Sequence, residues 1–145
     1  GEHKGIKGIM VFTNEDSKIE VDIDMTNGLT NTSGKYPYHI HVSPINSTGS
    51  CDSTGGAAVP GYVCNSTTPE KCEAGDLSGK HGALQGTPNG AVSVKYFDDF
   101  ISLKDNKTGI IGHSIVIHDT YTRCPYVKQI PGRGSLPIYI GIKIT

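Results

Sequence analysis

His39-Ile40-His41 places two imidazoles at positions i and i+2. On a strand those positions face one side, about 6.6 Å apart at Cα, so both rings can converge on one metal ion. Alone, the triplet is a weak signal, because an exposed strand face also carries two histidines by chance. A third imidazole, His118, closes the segment Gly112-His113-Ser114-Ile115-Val116-Ile117-His118. Strand parity there sends Ile115 and Ile117 one way and Ser114, Val116 and His118 the other, leaving His118 on the non-core face at a strand end. His113 faces away from His118 by the same parity. His81, in Gly79-Lys80-His81-Gly82, reads as a turn residue, and Gly1-Glu2-His3 would chelate Cu(II) only if Gly1 is a free amino terminus. Cys51, Cys64, Cys72 and Cys124 contain no C-x-x-C pair, so zinc is a poor reading and two disulfides a better one.

The elements that must hold these histidines are strands. Nineteen glycines, eight prolines and alternating apolar residues describe an all-β chain rich in turns. Ile19 to Met25 is apolar at odd positions and acidic or polar at even ones, a period of two that excludes a helix. It follows residues 4–13 across Asn14-Glu15-Asp16-Ser17, which predicts an N-terminal hairpin. Further strands are predicted at about 36–43, 91–97, 100–104, 110–118 and 136–145. In the first of these Tyr38, Ile40 and Val42 face the core, and in the last Ile138, Ile140, Ile142 and Ile144 share a face. No helical pattern of useful length occurs. The stretch from Asn46 to about Gly90 is too long for an idle connection and reads as a functional loop.

The 145 residues are expected to form one domain, 1–145, large enough to bury its own core. A formal net charge of −1 gives no electrostatic reason to expect nucleic acid or anionic membrane as partner. No apolar run approaches the ~20 residues of a membrane span. No signal peptide stands at Gly1, so the chain is expected to be cytoplasmic or already processed. An even cysteine count and four Asn-x-Ser/Thr sequons, at Asn31, Asn46, Asn65 and Asn106, favour a processed, secreted glycoprotein.

Together the segments resemble the copper/zinc superoxide dismutase family. That family carries an H-x-H strand, a loop cysteine before a Gly-rich turn, a G-D-L segment and a strand ending V-V/I-H. Here His39-Ile40-His41, Cys51-Asp52-Ser53-Thr54-Gly55-Gly56, Gly75-Asp76-Leu77 and Gly112 to His118 follow in the same order. The stretch from Cys72 to Gly82 is most similar to the secreted, copper-only branch of fungi and related eukaryotes. The resemblance implies a Greek-key antiparallel β-barrel or sandwich, a monomer, and one copper ion on His39, His41 and His118. It also implies superoxide, or another small redox substrate, as the partner.

Several positions depart from the family pattern. Ala57 occupies the place of the histidine that bridges copper and zinc, no histidine lies between His41 and His81, and Glu73 replaces a further zinc histidine. Asp76 alone remains of the zinc set, and one carboxylate will not hold zinc against water. In copper-only relatives the two carboxylates orient copper ligands, the role the resemblance implies for Asp76 and Glu73. Arg123, in Thr122-Arg123-Cys124, matches the anion-attracting arginine, with Arg133 as its rival. The resemblance also implies the pairings Cys51–Cys124 and Cys64–Cys72, although four cysteines allow three pairings. With Ala57 in place the expectation is an extracellular copper-only dismutase of reduced turnover, holding copper preferentially as Cu(I). The alternative is a non-enzymatic protein that stores, delivers or buffers copper.

Overall fold

A computed structural model describes residues 5–41, 64–104, 107–118, 126–130 and 142–144. The expected N-terminal hairpin is present as β1 (Lys7–Glu15) and β2 (Lys18–Asn27), with Glu15 opposite Lys18. Its two-residue connection begins at Asp16, whose φ of 55° lies in the left-handed region that Asp tolerates better than most residues. Alternation in β2 is realised: Ile19, Val21, Ile23 and Met25 are buried, while Glu20, Asp22 and Asp24 face away from the core.

β6 (Val92–Asp98) pairs with the far edge of β2, and β9 (Ile142–Ile144) lies parallel to β1, giving the order β6-β2-β1-β9. A second sheet has the order β4-β7-β8, from Tyr38–His41, Ser114–Ile117 and Tyr126–Gln129. β3 (Lys35–Tyr36) pairs with β5 (Leu84–Gln85). Between the sheets lies one apolar core that includes Phe12, Val21, Tyr38, Leu77, Ile115 and Ile117, each fully buried.

Several expectations are corrected. The strand expected at 36–43 divides at Pro37, which has no N–H to continue a ladder, and its two parts pair with different partners. Residues 100–104 bury Ile101 and Leu103 alternately, yet form only an isolated bridge between Ser102 and Gly109. The strand expected at 110–118 is confined to Ser114–Ile117, and its second face is buried too, through Ser114 and Val116. The stretch 46–90 is not wholly irregular. It contains a 3-10 turn at Pro69–Lys71, the short helix α1 (Leu77–His81) and β5.

Cys64 and Cys72 are disulfide-bonded. The pairing Cys51–Cys124 lies outside the described residues, as do Val42, Ile138 and Ile140. A side chain at Gly79 would collide with the Asp76 carboxylate and Cys64 Sγ, so the bridge sits directly beside the first turn of α1. With a sequence separation of 8, chain entropy assigns the bridge about 2–3 kcal/mol. Urea unfolding of a Cys64→Ser/Cys72→Ser variant is expected to show a loss of that size.

Candidate metal centre

The register of β4 on β7 assembles the histidines. Tyr38 lies opposite Ile117, His39 opposite Val116 and His41 opposite Ser114. The His118 amide donates to Pro37 O at 2.7 Å, which carries the same register one step beyond β7. His118 therefore lies opposite Pro37, two residues before His39 and four before His41, on the face that those two share. The ring centroids are 5.1 Å apart for His39–His118, 6.0 Å for His41–His118 and 6.2 Å for His39–His41. One nitrogen from each ring lies within 4.8 Å of the other two, and no further group joins them as a metal-ligand set among the described residues. His113 is not a member.

Three neutral imidazoles suit a borderline metal such as copper, zinc, iron or nickel, and not a hard oxygen-seeking cation. Burial lowers the pKa of His39; the Asp76 charge opposes this, His41 adds to it and Glu73 opposes it. The net effect keeps the ring neutral and able to ligate at pH 7.

The 73–81 segment approaches this cluster from the side. Ile40 N donates to Gly75 O at 2.8 Å, docking the segment on β4 between the two histidines. Gly75 is required there, since a Cβ would lie 2.5 Å from Ile40 O. Asp76 caps α1, accepting from Gly79 N at 2.9 Å through Oδ1, and the same oxygen lies 3.4 Å from His39 Nε2. Ser78 Oγ is also 3.4 Å from His39 Nε2. Glu73 is exposed and reaches His39 through its charge.

His39, His41 and His118 converge, Asp76 lies against His39, and Glu73 is exposed nearby. Ser78, which meets His39, is not among the residues the sequence singles out, although its place two residues after a capping aspartate is a usable signal. His81 is corrected: it ends α1, donates through Nε2 to Asp98 Oδ2 at 2.7 Å, and stacks on Tyr96 with centroids 3.9 Å apart. Arg123, Arg133, Ala57, Asn46, Asn106 and His3 lie outside the described residues.

Two packed β-sheets with three histidines converging from two paired strands make a fold and a site able to hold one metal ion. The family model described as copper/zinc superoxide dismutase matches residues 6–129, and the chain belongs to that family. It is 38% identical over 119 residues to cell surface superoxide dismutase (Cu-Zn) 6 of Candida albicans, covering 78% of this chain and 36% of that protein. It is 34% identical over 116 residues to cell surface Cu-only superoxide dismutase 5 of the same organism, covering 78% and 49%. The cell surface Cu-only superoxide dismutase of Arthroderma benhamiae is 34% identical over 139 residues, covering 85% and 37%. The chain thus spans less than half the length of these relatives. The solved structure of Candida albicans superoxide dismutase 5 in its Cu(II) form superposes with a TM-score of 0.68 at 30% identity, covering 80% of this chain and 75% of that one. The fold is that of the copper/zinc superoxide dismutases. The cell-surface Cu-only relatives and the three-histidine group together point to copper.

Proposed function

We propose that this chain is the catalytic domain of an extracellular copper-only superoxide dismutase, with turnover reduced by Ala57. The observation that carries this reading is the convergence of His39, His41 and His118, with donor nitrogens within 4.8 Å. A copper ion bound there supplies one-electron redox chemistry toward superoxide.

The chain's own residues divide the remaining work. His39 turns Nε2 toward Asp76 and Ser78, which fixes the ring and leaves Nδ1 as the nitrogen for the metal. Asp76 is held for this by its cap on α1, and Glu73 adds negative charge that raises the basicity of His39. Arg123, with Arg133 as rival, supplies positive charge to attract the superoxide anion. Zinc has no place in this reading, because Ala57 and Glu73 stand where zinc histidines would be and Asp76 is engaged with His39. The sequons at Asn31 and Asn65, both exposed, and the Cys64–Cys72 bridge support secretion and glycosylation. The domain is read as a monomer.

Ala57 also supports a second reading, a copper store or carrier. With three imidazoles and no bridging histidine, the softer Cu(I) state is favoured over tetragonal Cu(II). Pulse radiolysis of the copper-loaded protein separates the two readings. Turnover well below the diffusion limit, raised by Ala57→His, is the expected result. Turnover near the diffusion limit in the unaltered chain overturns the reduced-activity proposal, and no measurable turnover in either form overturns the dismutase reading in favour of the second.

A further inference from the structure

β6 alternates cleanly, with Ser93, Lys95 and Phe97 exposed and Val92, Val94, Tyr96 and Asp98 turned inward. Its last inward position, opposite Ile19, is therefore a carboxylate where an apolar side chain would satisfy the pattern. Asp98 is fully buried, and its oxygens are all engaged. Oδ1 accepts from Phe100 N at 2.7 Å and from Ile101 N at 2.8 Å. Oδ2 meets Lys80 Nζ at 2.6 Å and His81 Nε2 at 2.7 Å. The Lys80 side chain is fully buried as well, lying 5.0 Å over the Phe100 ring, and its Nζ also donates to Ala74 O at 2.7 Å.

A buried ion pair is a poor source of stability in itself, since desolvation offsets much of its attraction and packed apolar side chains often do as well. What apolar packing cannot supply is direction. Lys80 ties the carbonyl of Ala74, two residues before Asp76, to the end of β6. It thereby closes the 74–80 segment on itself and nails it to the opposite sheet. His81 adds a second contact, because it stacks on Tyr96, whose hydroxyl meets the hydroxyl of core residue Tyr38, the neighbour of His39 along β4, at 2.7 Å. The first path runs from Asp98 to the segment that flanks the histidine cluster, and the second ties the end of α1 to β6 and, through Tyr38, to β4.

We infer that Lys80 and His81, anchored on Asp98, are positioning residues that set α1 so that Asp76 and Ser78 meet His39 Nε2. They touch neither the histidine nitrogens nor a bound metal, and act through the 74–78 backbone. Where copper is concerned, the inference rests on the copper reading above.

The variant Lys80→Met/Asp98→Asn removes both charges together and keeps an oxygen to cap Phe100 and Ile101. His81→Phe keeps a ring on Tyr96 at a part-exposed position and leaves the Lys80–Asp98 pair intact. Two readouts apply to each folded variant, with folding checked by near-UV circular dichroism. One is Cu(I) affinity by chelator competition together with the Cu(II) paramagnetic resonance spectrum. The other is the imidazole 15N shifts of His39 in the metal-free chain, which report the Nε2 proton without copper. Expected for the double variant are an affinity loss of about tenfold, altered copper hyperfine splitting, and a moved His39 Nε2 signal. His81→Phe shifts the same signals in the same direction. Parent-like affinity, spectrum and 15N shifts in a folded variant overturn the inference. If the unaltered chain takes up no copper, the copper reading fails by itself, and the 15N shifts still decide the positioning role.

Discussion

His118→Ala removes tight copper binding while leaving the fold in place. The side chain of His118 is partly buried and stands just past the end of β7. Its contribution to the sheet, the amide bond to Pro37 O, is made by the backbone and survives the substitution. Losing one of three donor nitrogens removes a metal bond outright. Loss of a hydrogen-bonding partner behind a ligand already costs 10–100-fold in affinity, so a fall of about two orders of magnitude or more is expected. His113→Ala, five residues away but outside the cluster, leaves affinity unchanged. Competition against a calibrated Cu(I) chelator measures both, and equal affinities in the two variants would remove His118 from the site.

Asp98→Asn is expected to cost about 3–5 kcal/mol, the usual consequence of leaving one member of a buried ion pair unpartnered. In the unaltered chain burial pushes the Asp98 carboxyl up. Hydrogen bonds from His81 and Lys80, and the Lys80 charge, outweigh that and hold it at about 2, below its ordinary 3.8. A carboxyl with a depressed folded-state value contributes stability above its unfolded value. That contribution disappears as pH falls from about 4 through about 2, and is worth on the order of 2 kcal/mol. Unfolding free energy against pH therefore has an acid limb in this window that Asp98→Asn flattens. The larger cost of the substitution reflects Lys80, whose pKa burial lowers and Asp98 supports. Without Asp98 the Lys80 value falls further. A lowered base makes the unfolded state bind more protons, so the variant regains stability as pH rises toward the ordinary lysine range. Denaturant titrations at pH 3, 7 and 9 check both limbs, and parallel curves for the two proteins would contradict this assignment.

The parts legible in the sequence were those set by strand parity. β2 is legible because from Ile19 to Met25 each odd side chain is buried and each even one is not. His39, His41 and His118 could be placed on one face because parity is fixed once a strand is recognised, and the register His39–Val116 then brings them together. What stayed hidden depends on contacts distant in the chain or on elements too short to carry a period. α1 has five residues, less than two turns, and leaves no amphipathic pattern. Lys80 and Asp98 meet across eighteen positions, and Tyr38 and Tyr96 across fifty-eight. Neither pair has a local signature. Ile101 and Leu103 alternate as a strand would, but the Asp98 carboxylate captures the amides of Phe100 and Ile101 and bends the backbone out of the ladder. The strand predicted at 91–97 stops one residue short of Asp98, so the carboxylate's inward position, and with it the need for a buried cation, emerges only with the full extent of β6.

One measurement bears on the central claim most directly: the paramagnetic resonance spectrum, with metal analysis, of the purified chain after exposure to equal copper and zinc. The expected result is one copper per chain and no retained zinc, with a Cu(II) signal showing coupling to three imidazole nitrogens. A chain that retains zinc alongside copper, or a copper signal without imidazole nitrogen coupling, would contradict a mononuclear copper site on His39, His41 and His118.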